Sequence, residues 1–290
     1  MIDTITDSAA PVLKIDNQYF ANKRILIYGG ANGIGRAAAL EFHTRGAALA
    51  LADIDLASAT ATAAEINAVG GKAIAIHCDV TNDDSVQAAA DDAEAGFGDI
   101  DIVMNNVGVI MAGNAEDIPL AEWQRVMNLN LLSTVRSNAI FLPKMIERGA
   151  GHIVNTASFA GLYPYAVNRM PYAASKAALV AMSESLAVYL IPQGINVSYF
   201  CPGPVMTNVS KGIKNWSENS VMCGPGSQFD LMSAEQAAAV LADGMAGGRI
   251  FIPTHEHVTE MMQQRAASPD QFIRDKIAQI ALGNFGLPKR

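Results

Sequence analysis

Seven short apolar runs, each set apart by a stretch of helical length, constrain this chain more than any other feature. They are 24–29 (RILIYG), 48–53, 72–79, 101–106, 151–158, 195–200 and 249–253. Near-continuous apolar character in runs this short marks strands buried on both faces, as in a parallel sheet covered by crossover helices. The stretches between them, 33–46, 56–69, 82–96, 120–148, 171–192 and 233–246, are rich in alanine. Gly46, Gly70 and Gly149 follow three of them, where a left-handed helix end suits glycine. This alternation predicts a doubly wound α/β sandwich with a central parallel sheet of about seven strands and helices on both faces.

The carboxyl edge of such a sheet is where ligands collect, so the residues that end each run carry the argument. The first run ends in Gly29-Gly30-Ala31-Asn32-Gly33-Ile34-Gly35, ahead of a helix. Unpaired amides and the positive helix end favour a pyrophosphate there, and glycines let its oxygens approach the backbone. Alone, the turn also reads as a tight strand-to-helix connection with no ligand. Asp53 closes the second run, where a dinucleotide fold sets an acid against the adenosine ribose; a carboxylate accepts from ribose hydroxyls and repels the 2′-phosphate of NADP. Ile54 and Asp55 follow, and Arg36 is the one cation placed to answer that phosphate. The expected cofactor is NAD and the sheet is of Rossmann type. The chain then divides into an N-terminal arm (1–22), one dinucleotide-binding and catalytic domain (23–253) and a C-terminal extension (254–290), a lid or a subunit contact.

At the reacting end, Tyr172 and Lys176 stand four residues apart on one helical face behind Pro171. A free phenol ionises near pH 10, too high for a base at neutral pH, and a cation one turn away favours the phenolate. Ser158 closes the fifth run, where its hydroxyl can polarise a carbonyl. Taken singly, each of the three reads equally as an interfacial tyrosine, a solvated lysine or a loop serine.

Together these residues make the chain resemble the short-chain dehydrogenase/reductase family in its compact single-domain form, over about residues 24 to 253. The family's TGxxxGxG turn appears as Tyr28 to Gly35, with tyrosine for threonine, and its NNAG as Asn105-Asn106-Val107-Gly108, with valine for alanine. Its adenine-side acid falls on Asp79 beside Val80, its catalytic asparagine on Asn130, its serine on Ser158 in Ser158-Phe159-Ala160-Gly161, and its YxxxK on Tyr172 and Lys176. Pro202-Gly203-Pro204-Val205-Met206-Thr207 resembles the family's PG-x-V-x-T segment at the nicotinamide amide. By that likeness, Tyr172 exchanges a proton with the substrate oxygen while hydride passes to or from nicotinamide. Lys176 holds the ribose and lowers the tyrosine's pKa, Ser158 bonds the oxygen, and Asn130 anchors a water that relays the proton. The likeness also implies a homodimer or homotetramer joined through 120–148 and 171–192.

A formal charge of −8 disfavours nucleic acid as a partner. Cys78, Cys201 and Cys223 fit neither a disulfide framework nor a zinc site, which suggests a cytoplasmic protein. The acidic start lacks the basic region of a signal peptide, and no apolar run is read as a membrane span. His255 and His257 without further ligands give no metal site. Apolar residues between 205 and 232 (Met206, Val209, Ile213, Trp216, Val221, Met222, Phe229, Leu231 and Met232) are expected to roof the substrate pocket. Recognition of a carboxylate or phosphate needs a placed cation, for which Lys211, Lys214 and chiefly Arg169, just before Tyr172, are the candidates; the reading preferred for all three is that of surface residues. The expected substrate is accordingly a bulky, mainly apolar and uncharged secondary alcohol or its ketone. Two alternatives stand beside it: an NADPH-dependent 3-oxoacyl-type reductase, and an NAD-binding sensor without turnover.

Overall fold

The computed structural model describes residues 16–207 and 213–288. Its strands are β1 (Arg24–Tyr28), β2 (Ala48–Asp53), β3 (Ala73–His77), β4 (Ile102–Asn105), β5 (Met111–Ala112), β6 (Gly151–Thr156), β7 (Ile195–Cys201), β8 (Lys214–Asn215) and β9 (Phe251–Pro253). The seven apolar runs all lie in one parallel sheet of order β3-β2-β1-β4-β6-β7-β9. Strand order reverses between β1 and β4, which opens a crevice at their carboxyl ends. The pair β5 and β8 is additional to the sequence reading, because two-residue strands leave no period to detect.

Side chains alternate across the sheet as a two-residue period requires. Ile25, Ile27, Leu49 and Leu51 pack on the layer of α1 (Gly33–Thr44), α2 (Leu56–Ala68) and α7 (Ala234–Ala246). Leu26, Tyr28, Ala50, Ala52 and Val103 pack on that of α3 (Asp83–Phe97), α5 (Ser133–Arg148) and α6 (Met170–Leu190). Alanines 37, 38, 237 and 238 are fully buried and let α1 and α7 lie close together.

At four places the structure adds to the sequence reading. The described end of the arm joins the core: Phe20 is buried and stacks on Phe42 with ring centroids 5 Å apart to the nearest ångström (4.8 Å). The expected single helix 120–148 is instead α4 (Leu120–Met127), a π turn over Asn128–Leu132, and α5. Beyond β9 the chain forms α8 (Val258–Ala267) and α9 (Pro269–Ala281), split at Ser268-Pro269, and Val258, Met261, Met262 and Phe272 pack on the loop after β6. Finally, α6 with its following turn, Met170–Gln193, is long and apolar enough to cross a membrane by length and composition, at a mean hydropathy of 1.3. One side of that helix lies on β7 and carries Tyr172 and Lys176, so it is an element of the domain.

Candidate active site

A cavity of about 650 Å³ opens at the carboxyl edge of the sheet and runs from the glycine turn to Tyr172. Of the catalytic and cofactor-binding residues expected from the sequence, Gly35 and Asn130 stand outside its wall and the others line it. Gly35 acts in packing: an added Cβ would lie 1.9 Å from the Gly29 carbonyl oxygen, so only glycine lets α1 close against the turn. Asn32, the N-cap of α1, makes no side-chain bond to the first helical turn, whereas Asp55, Asn82 and Ser233 cap α2, α3 and α7. The α1 amides therefore remain available to an anion in the cavity.

Asp53 is aimed by the backbone. Its Oδ2 accepts from the Ala31 amide at 3.0 Å and its Oδ1 from the Asp55 amide at 3.0 Å. Arg36, the cation that the sequence sets against a 2′-phosphate, is paired with Glu65 at 2.5 Å and already has a carboxylate. Asp79 accepts from the Thr81 amide and hydroxyl, which hold its carboxyl below the usual range. Asn106 braces the glycine turn, donating to the Gly29 carbonyl at 2.9 Å and accepting from Thr156 at 3.2 Å. These residues fit a dinucleotide: uncapped amides for pyrophosphate, a fixed carboxylate for ribose hydroxyls, and glycines at the closest approach.

The reacting groups lie at the other end. Tyr172 and Lys176 project from the first turns of α6, and Ser158 from the end of β6. An added Cβ on Gly161 would lie 2.6 Å from the Lys176 carbonyl group, so the turn after Ser158 packs directly on the α6 backbone. Lys176 is buried, donates to the Thr156 carbonyl at 2.6 Å, and is pushed by desolvation down to about 8. Its ammonium lies 5.8 Å from the Tyr172 ring centroid. Burial raises the Tyr172 phenol, while the Ser158 hydroxyl and the charge of Arg169 oppose that rise. The charge of Arg169 thus acts on the phenol alongside the nearby Lys176 ammonium.

Asn130 is fully buried in the π turn. Its Oδ1 accepts from the Val109 amide at 2.8 Å, and its Nδ2 donates to the Val109 carbonyl and to Ser175. The side chain ties the segment after β4 to the residue preceding Lys176. Sequence reasoning missed this brace and a second one, in which Asn105 donates to Asn155 and Asn155 to Ser183.

Two expectations about the substrate end are corrected. None of the roof residues among those described lines the cavity: Met206, Val221, Met222 and Leu231 are exposed, and Phe229 is buried beneath the C-terminal helices. Val209 and Lys211 lie outside the described residues. The apolar wall comes from Val107, Ile110, Leu129, Tyr165, Pro204 and Val205, of which Ile110 and Tyr165 belong to the sheet-edge loops that the sequence also offers for the pocket. Arg169, expected at the surface, is 9% exposed and lines the cavity.

The short chain dehydrogenase family model matches residues 23–218. The chain belongs to this family. It is 38% identical over 192 residues to the probable oxidoreductase EphD of Mycobacterium tuberculosis, a stretch that covers 66% of this chain and 32% of that protein. The chain thus spans about a third of the length of the curated relatives it matches first. It is 31% identical over 237 residues to 1-deoxy-11-beta-hydroxypentalenate dehydrogenase of Streptomyces exfoliatus, covering 81% of this chain and 83% of that one. A short chain dehydrogenase/reductase from Burkholderia phymatum, solved in complex with NAD, superposes with a TM-score of 0.76 at 27% identity, covering 94% of this chain and 99% of that one.

Proposed function

We propose that this short-chain dehydrogenase uses NAD(H) to interconvert a bulky, mainly apolar secondary alcohol and its ketone. The observation that carries the reading is one continuous cavity with the Asp53 carboxylate at one end and Ser158, Tyr172 and buried Lys176 at the other. Asn32 to Ile34 and the free α1 amides would hold the pyrophosphate, and Asp53 the adenosine ribose. Asp79 and Val80 would flank the adenine, while Asn106 to Gly108, Lys176, Pro202, Gly203, Val205 and Thr207 would hold the nicotinamide half. Nicotinamide, when bound, supplies or accepts the hydride. Ser158 then donates to the substrate oxygen, and Tyr172 gives or takes its proton. The Lys176 ammonium sits close enough to lower the phenol's pKa once the cavity is filled.

NAD rather than NADP is supported by Asp53 and by the Arg36–Glu65 pair, which also weigh against the NADPH-dependent 3-oxoacyl reading. The Ser-Tyr-Lys arrangement weighs against a sensor without turnover. The bulky substrate is supported by the apolar wall, and the relative named 1-deoxy-11-beta-hydroxypentalenate dehydrogenase is in keeping with a hydroxylated substrate. Exposed Leu132, Val135, Val188 and Tyr189 on the π turn, α5 and α6 support a homodimer or homotetramer joined there, and three free buried cysteines support a cytoplasmic setting. NADH production from a panel of cyclic alcohols, threitol, sorbitol and lactate tests the substrate reading. Cyclic alcohols are expected to give the higher kcat/KM, and the reverse ranking overturns it.

A further inference from the structure

Arg169 is the N-cap residue of α6, three positions before Tyr172, and its side chain is 9% exposed within the cavity wall. Among the described residues no carboxylate pairs with it. One of its terminal nitrogens donates to the Cys223 carbonyl, its guanidinium stands 5.5 Å from the Tyr165 ring centroid, and its buried Nε has no partner. A guanidinium stays charged at any ordinary pH, and a buried cation without an anion is strongly unfavourable. The acids that line the cavity, Asp53 and Asp79, belong to β2 and the segment after β3, at the adenosine end. The substrate end therefore holds a positive charge, with donors to spare and no acid beside it. Bracing the Cys223 carbonyl uses one N–H, which a glutamine could supply; the planar fork of arginine matches a carboxylate.

We propose that Arg169 holds a carboxylate of the substrate, so that the alcohol or ketone taken by this site is an acid with a bulky apolar skeleton. This revises the uncharged substrate read from the sequence. It rests on the proposed alcohol and ketone chemistry for the identity of the reacting group, but the anion contact stands on geometry alone.

The test uses the full chain with NADH bound and compares acids with their primary amides: cyclohexanecarboxylate, benzoate and 2-naphthoate. Binding is read from quenching of NADH fluorescence, and turnover from 3-hydroxycyclohexanecarboxylate and its amide with NAD. At least one acid is expected to bind about tenfold or more tighter than its amide, with the same preference in kcat/KM. Arg169→Met should abolish the preference, Arg169→Lys should keep part of it, and NADH affinity should stay within about twofold in both. If no acid outbinds its amide in the unaltered protein, the proposal is overturned, and that arm does not depend on a variant folding. It is also overturned if Arg169→Met slows acid and amide alike, as a role confined to the Tyr172 phenol would require. Acid binding that depends on Arg169, without oxidation of any alcohol, would remove the proposed reaction and leave the anion contact. Oxidation of neutral ring alcohols with no preference for acids would do the reverse.

Discussion

The Tyr19 hydroxyl donates to Nδ1 of His152 across 2.6 Å and fastens the end of the N-terminal arm to β6. The direction follows from the far side of the ring. Ser198 gives its one proton to the Arg249 carbonyl at 2.6 Å, so its oxygen accepts from Nε2 of His152 at 2.9 Å. Nδ1 is left bare to accept from the phenol. The ring is neutral, and complete burial pushes its pKa down to about 3.

Acid should therefore loosen the fold through His152. The unfolded chain takes a proton at this residue near pH 6.5 and the native one only near pH 3, so stability falls as pH drops through that interval. Between pH 7 and pH 5 the protein should lose about 2 kcal/mol more than its His152→Gln variant, measured by urea unfolding. Equal losses would show that the ring takes up its proton without unfolding.

Lys176 should carry the same sign into alkali. Its native pKa of about 8 lies below the ordinary 10.5, so the unfolded chain binds more protons between those values and the cofactor-free protein gains stability as pH rises. From pH 7 to pH 9.5 it should gain about 2 kcal/mol relative to Lys176→Met. Parallel profiles would mean that the ammonium remains charged in the cavity.

Tyr172→Phe keeps the ring and removes the transferable proton. Affinity for NADH, read by fluorescence titration, should change by less than about threefold, while turnover should fall by at least about 100-fold. Oxidation at the original rate would remove Tyr172 from proton transfer.

Asp53 should set cofactor choice. Discrimination for NAD over NADP is expected to be at least about tenfold in kcat/KM, since a phosphate beside a backbone-anchored carboxylate is unfavourable by more than about 1.4 kcal/mol. Asp53→Ser combined with Ile54→Arg should narrow or reverse the ratio. An unaltered protein that prefers NADP would contradict the role given to Asp53.

The parts of this molecule legible in its sequence are those whose place in the fold follows from residue type and position together. Gly29 to Gly35 ahead of a helix, Asp53 at a strand end, and Tyr172 with Lys176 on one face are of that kind. The roof over the substrate was misread because Met206, Val221, Met222 and Leu231 carry no period, and without one an apolar residue does not reveal which way it faces. Arg169 was misread for a related reason: an isolated arginine is usually solvated, and only the packing of Tyr165 and Cys223 around it makes it a cavity residue. The π turn at Asn128–Leu132 left no trace because one extra residue in a turn needs no breaker such as glycine or proline to mark it.

Gly161 carries no reactive atom, yet its contact with the Lys176 backbone gives it authority over the chemistry. A side chain there would push apart the two segments that deliver Ser158 and Lys176. A saturation screen scored on turnover alone would rank Gly161 with the acid and base, and the same screen scored on abundance would show whether that rank reflects misplacement of the reacting groups or loss of the folded chain.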